Sequence, residues 1–277
     1  MTEEIRAPKR PVLPPQRAAT ALLNRRWVSL LAELVLIVAG ILIALYIDGW
    51  VQDRQDRDRE VAYLELLRDD LILIEAEVAQ FVEFEKSMLA TGKEFLDAIS
   101  TANPTTDHRP LHGMLGELSV RRTLSIVSAA YADLTNTGNL QLIGNSDLRR
   151  QLVRYFADIE RSELIVEKNT TRVVDEIFKH FLMDAGVTIY IDQTVLPPIE
   201  RANAVLLDVL GPDFTWPRDV VLQQPRRSSS WDEFRRQVLY RMRIAAGGRV
   251  TGERLIESTQ QLRALVEEEL ARRDSRQ

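Results

Sequence analysis

Between Leu34 and Ile47 the sequence carries no charged side chain, and extending back to Trp27 adds only Glu33. As a helix rising about 1.5 Å per residue, Trp27–Ile47 is about 30 Å long, the thickness of a bilayer's hydrocarbon core. Leu, Ile and Val lie on all sides of the stretch, and Trp27, Tyr46 and Trp50 stand near its ends as interfacial aromatics do. A buried core helix or a cleaved signal peptide would be the competing readings. The all-round apolar character argues against the first. Against the second stand the roughly 26 preceding residues and the absence of a small-x-small cleavage site after the apolar run. One transmembrane helix is therefore expected over about Trp27–Ile47, with its flanks filling 25–50.

Six basic residues precede the span (Arg6, Lys9, Arg10, Arg17, Arg25 and Arg26), against Arg54, Arg57, Arg59 and Arg68 after it. Positive-inside bias then puts the N-terminus in the cytoplasm and the C-terminal part outside, in the periplasm of a bacterial inner membrane. Within the span, Glu33, Gly40 and Ala44 share one face at about 100° per residue, with Asp48 at its edge. Small residues at this spacing allow close helix approach, and an intramembrane carboxyl is a candidate partner contact or functional group, so this is the candidate helix-association face. Glu33 reaching the headgroup region is the alternative reading.

A formal net charge of -5 gives no basic footprint, so no nucleic-acid partner is expected. The chain has no cysteine, which excludes disulfides, thiolate nucleophiles and Cys-ligated metals.

Beyond the span, Asp48 to Glu60 alternates charges at helical spacings, as in Arg54 with Asp58 and Asp53 with Arg57. Leu64, Leu67, Leu71, Ile74, Val78 and Phe81 then recur in steps of three and four, predicting a helix with a narrow seam that breaks at Glu85 and helix content to about Ser100. Asn103-Pro104 and Arg109-Pro110 are turn signals, followed by a short helix through Leu118. Ser128 can cap a helix that ends at Gly138 in the left-handed region. Asn145 or Ser146 can cap the next, whose stripe runs Leu148, Leu152, Tyr155, Ile159, Val166, Val173, Ile177 and Phe181 until Gly186. Periodicity is lost from Val187 to Ser229, where Val187–Ile191 is compatible with a short strand and prolines punctuate the rest. Ser230-Trp-Asp-Glu233 fits a capping box opening a last long helix, with Gly247-Gly248 expected to kink or interrupt it.

The fold class expected is mainly α: one transmembrane helix continuing into an antiparallel helical bundle, with a Pro-rich connector. Its parts are a disordered tail at 1–24, the span at 25–50, helices at 51–186, an irregular connector at 187–229, a long helix at 230–273 and a tail at 274–277.

Catalytic signals are missing. His108 and His112 have helical spacing but straddle Pro110, and His180 sits among Phe178, Phe181 and Leu182. No glycine-rich phosphate cradle, nucleophile elbow or zinc-helix motif occurs. No catalytic residue, cofactor or metal site is expected.

Two blocks carry a resemblance. The first runs from Glu33 through Gly40, Ala44 and Asp48 to Trp50 and on to Arg59-Glu60 and Tyr63-Leu64. The second contains Tyr131, Leu134, Gly138, Leu140 and Ile143, followed by Leu148-Arg149 and Tyr155. Together they resemble a bacterial family of single-pass membrane proteins known only as a domain of unknown function, over about a third of the chain. That family more often has Asn where Gly49 stands, and no resemblance extends beyond about Phe181. The resemblance implies an anchor followed by helices and brings no activity or catalytic residues. The function expected is noncatalytic binding of a protein partner or small ligand by a periplasmic helical domain, with the lipid bilayer and a partner chain or second copy as contacts. A self-associating envelope scaffold and an enzyme with an unrecognised site are the alternatives.

Overall fold

The computed structural model describes residues 17–100, 109–187, 197–214, 220–223 and 229–275, and these are mainly helical, with no strand among them. The helices are α1 (Arg17–Ser100), α2 (Arg109–Leu118), α3 (Ala129–Asn136), α4 (Ser146–Thr170), α5 (Lys179–Asp184), α6 (Pro197–Leu210) and α7 (Ser229–Asp274). A π-helical segment, Thr171–Phe178, joins α4 to α5, and 3-10 turns occupy Asn139–Leu142 and Val220–Gln223. The chain divides into two compact units, residues 1–58 and 59–277.

In the first unit, α1 is helical from Arg17, so residues 17–24 are helical where a disordered tail is expected. Ala18, Ala19, Leu22 and Leu23 are strong helix formers, which accounts for helix at 17–24. From Leu30 to Trp50 every side chain is exposed. Among the described residues, α1 is the one helix long and apolar enough to cross a membrane.

In the second unit the core is built on two seams. On α1, Glu60, Leu64, Leu67, Leu71, Ile74, Val78, Phe81, Glu85, Met88, Gly92, Phe95 and Ile99 are buried in alternating steps of four and three. On α7, Trp231, Phe234, Val238, Arg241, Ala245, Gly252, Leu255, Thr259, Leu262, Val266 and Glu269 follow the same rhythm, with half-buried Gly248 filling the gap. A sustained seven-residue repeat is the pattern of coiled-coil-like packing. The α1 seam therefore does not break at Glu85: that carboxylate is itself a buried seam residue, 1 % exposed. Contacts along the two seams run in opposite senses. Glu60 meets Arg273, Glu75 meets Arg263, Val82 lies against Gly252, Glu85 against Gly248 and Gly92 against Met242.

Gly247-Gly248 does not interrupt α7, which is one helix from Ser229 to Asp274. Gly248 instead lets the backbone approach α1. α7 also starts ahead of Ser230, the expected cap, and the Glu233 carboxylate accepts from Arg236 and Gln237.

α3 and α4 start as their sequences dictate. Ser128 Oγ accepts from the Tyr131 amide at 3.1 Å, and Asn145 Oδ1 accepts from the Asp147 and Leu148 amides. Leu148, Leu152, Tyr155, Ile159 and Val166 are buried in one apolar cluster with Leu64 to Phe81 of the α1 seam and Leu255, Leu262 and Val266 of α7. Past Val173 the stripe departs from expectation: Val174, Phe178 and Leu182 are fully buried, while Ile177 and Phe181 are half-buried. The π segment causes this, because its wider turn advances the buried face by one residue.

The connector expected to be irregular holds α6 and a 3-10 turn. Pro197 stands at the first position of α6, where its fixed φ and missing N–H suit a helix start. Val187 is buried but not in a strand, and 188–191, the rest of the expected strand, lie outside the described residues, as do Asn103, Pro104 and His108.

Candidate functional site

Polar residues on an otherwise apolar seam mark the places where packing alone does not explain the sequence. Among the described residues, two such layers carry charged side chains.

The first joins Glu60, Gly144, Asn145, Glu269 and Arg273. Glu60 Oε1 accepts from the Gly144 amide at 2.7 Å and from Arg273 Nη2 at 2.9 Å. Glu269 accepts from Arg273 Nε at 3.0 Å and from Asn145 Nδ2 at 2.9 Å. Burial alone would raise the Glu269 pKa, but the Asn145 hydrogen bond and the Arg273 and Arg272 charges outweigh it and hold the carboxyl below the usual range. Each of these carboxylates has two or more donors. The layer ties the C-terminal part of α7 to α1 and to the turn before α4.

The second layer is Glu85 with Arg241, and it is not fully satisfied. Arg241 is completely buried. Its Nε donates to the Leu118 carbonyl at 3.1 Å and its Nη2 to the Val120 carbonyl at 3.2 Å. Its Nη1 stands 3.6 Å from Glu85 Oε2, close enough for ionic attraction but too long for a hydrogen bond. Glu85 Oε2 and Arg241 Nη1 are the buried side-chain atoms left without a hydrogen-bond partner among the described residues. Burial pushes the Glu85 carboxyl up to about 7, with Arg241 pulling the other way. Burial likewise lowers Arg241, and Glu85 opposes it. Phe84, Met88, Val120 and Ala245 form the small apolar cluster at this level.

Around α3 the second sequence block closes into one structural corner. Asp70 Oδ2 accepts from Ser128 Oγ at 2.7 Å and from the Ala130 amide at 3.0 Å, so α1 supplies part of the α3 cap. Tyr131 stacks on Phe156 with centroids 3.9 Å apart, Leu134 and Ile143 are fully buried, and Leu140 packs at the edge of the same cluster. Gly138 has φ 73°, the left-handed conformation that ends α3. Tyr63 donates to Asp133 at 2.5 Å. These contacts are those of a structural corner.

A charged cluster gathers around Asp175 of the π segment: Arg121 Nη1 meets Glu167 of α4 at 3.0 Å and Nε meets Asp175 at 2.6 Å, while Lys179 of α5 also bonds Asp175. His180 Nδ1 lies 3.1 Å from the Asp175 carbonyl, and no group of three or more metal-ligating side chains occurs among the described residues.

Glu33, Gly40, Ala44 and Asp48 are all exposed on α1, and a Cβ built on Gly40 would meet nothing within 4 Å. Sequence reading missed Glu85 and Arg241 as a pair. The signal was present in the steps of three and four that carry a charged residue on each seam, but the residues lie 156 positions apart, and only packing joins them. The chain matches no family model, no curated protein and no solved structure.

Proposed function

We propose that the chain is a single-pass protein of a bacterial inner membrane, N-terminus inside, whose periplasmic helices bind a protein partner or small ligand without catalysing a reaction. The observation that carries this reading is the charge-free stretch Leu34–Ile47, whose large apolar side chains are all exposed. Exposing so many contiguous apolar residues to water is strongly unfavourable, and a bilayer removes that cost. In this reading the helices of the second unit form an antiparallel bundle, a fold that buries its seams and leaves outer faces for partners. Leu66 and Leu73, 55 % and 68 % exposed on α1, and Val205, Leu206, Leu207 and Val209 on α6 are apolar residues available for such contacts. Crosslinking in intact membranes tests the reading: a reproducible partner or self-contact supports it, and recovery of neither rejects it.

Self-association is the second reading, favoured by the open space around Gly40 on the face it shares with Glu33 and Ala44. Gly40→Leu would then lower the oligomeric state in lipid; unchanged assembly rejects that face.

A further inference from the structure

The Glu85–Arg241 layer differs from its counterpart at Glu60 and Glu269 in one respect: hydrogen-bonding capacity is left over. A carboxyl and a guanidinium sit buried 3.6 Å apart, and neither of the facing atoms has a hydrogen bond. The seam allows little relaxation there. A Cβ on Gly248 would lie 3.2 Å from the Glu85 Cγ, Cδ and Oε1, so the α7 backbone lies close against the carboxyl. Arg241 is fixed by the Leu118 and Val120 carbonyls.

Among the described residues, Arg241 is the charged group acting on Glu85. Nearby on α1, Glu83 and Lys86 pair with each other at the surface. Just past Val120, Arg121 is engaged by Glu167 and Asp175, and Arg122 by Glu77. Glu117 of α2 is engaged by Thr91, and Arg249 of α7 pairs with Glu253.

We propose that Glu85 and Arg241 form a one-proton switch in the α1–α7 seam: protonated Glu85 keeps the seam closed around Gly248, and loss of that proton to water loosens it. A neutral carboxyl at this position needs little solvation, and Arg241 keeps its two carbonyls. An ionised carboxylate needs donors, and the closed seam supplies none at hydrogen-bond distance, so opening to water becomes favourable. The elevated titration of Glu85, near 7, puts the transition within a range that an environment exchanging protons with its surroundings would cross. The proton leaves as hydronium, and the charge created is offset in part by Arg241. A cation fixed beside a carboxylate that titrates near neutrality suits a sensor of external pH.

The test is hydrogen exchange by mass spectrometry on the full chain in lipid nanodiscs at pH 5.5 and pH 8, corrected for the intrinsic pH dependence of exchange. Peptides covering 241–252 should exchange roughly thirtyfold faster at pH 8 in the wild type, the factor for the roughly 1.5 pH units between pH 5.5 and the Glu85 titration near 7. Peptides at 259–269 should not change, and the difference at 241–252 should vanish in Glu85→Gln. Equal pH dependence in both proteins overturns the proposal. If Glu85→Gln does not fold, wild-type infrared spectra decide. A protonated-carboxyl band present at pH 5.5 and lost with a midpoint near 7 supports the switch; its absence overturns it.

Discussion

Gly252 on α7 lies so close to Val82 on α1 that a Cβ at Gly252 would come within 2.5 Å of Val82 Cγ2 and 3.3 Å of Phe81 Cδ1. Five residues earlier Gly247, on the same helix, has nothing within 4 Å of its Cβ position. The two glycines have opposite roles: one is required by the seam, and the other only weakens the helix.

Substitution by alanine separates them. Gly252→Ala should destabilise by about 1–3 kcal/mol, because Val82 is β-branched and cannot turn aside. Gly247→Ala should stabilise by up to about 1 kcal/mol through helix propensity. Thermal unfolding in one detergent measures both, and equal signs would contradict the seam register.

The Asp70–Ser128 contact predicts non-additive losses. Asp70→Ala and Ser128→Ala should each cost about 1–2 kcal/mol, since both leave α3 amides without acceptors. The double variant should cost less than the sum of the two, because they act on one network.

Tyr155 and Thr259 share a buried hydrogen bond at 2.7 Å between α4 and α7. Tyr155→Phe should cost about 1 kcal/mol, and the paired variant Tyr155→Phe/Thr259→Val less than the sum of the single changes. Denaturant midpoints check this.

Acid sensitivity should reside in the Glu269 layer. A carboxyl held below its ordinary range contributes stability that is present above that range and is lost as pH falls through its folded pKa. Glu269→Gln should therefore be less stable than the wild type at pH 7 and should lose less between pH 5 and pH 3. A parallel loss in both proteins would contradict the assignment. Glu85 has the opposite sign: its carboxyl is raised from 4.5 to about 7, so stability falls as pH rises through that interval.

How much of this was legible in the sequence depended on whether the cause was local. The Ser128 and Asn145 caps and the Gly138 turn follow from side chains a few residues apart, and the structure has them where the sequence puts them. Glu85 misled because an isolated charge on a seam reads as an end, whereas its partner Arg241 comes from another helix. Gly248 misled likewise, since propensity sees a helix breaker and tertiary contact uses it for close approach. The π segment displaced Ile177 and Phe181 in favour of Phe178 and Leu182, and a 3.6-residue period carries no sign of a wider turn. The apolar run at Leu34–Ile47 was legible at once because it needs no partner to be recognised.

That run underlies the central claim, and the absence of cysteine makes the test clean. Two single variants, Leu42→Cys in the apolar run and Ser275→Cys at the exposed end of α7, should be probed in intact bacterial cells. The probe is a membrane-impermeant maleimide that passes the outer membrane. The thiol introduced at position 275 should be labelled without lysis, and the one at position 42 should stay unlabelled until detergent is added. Labelling of position 42 in intact membranes, or of position 275 only after the inner membrane is broken, would contradict a single span with the C-terminal helices outside.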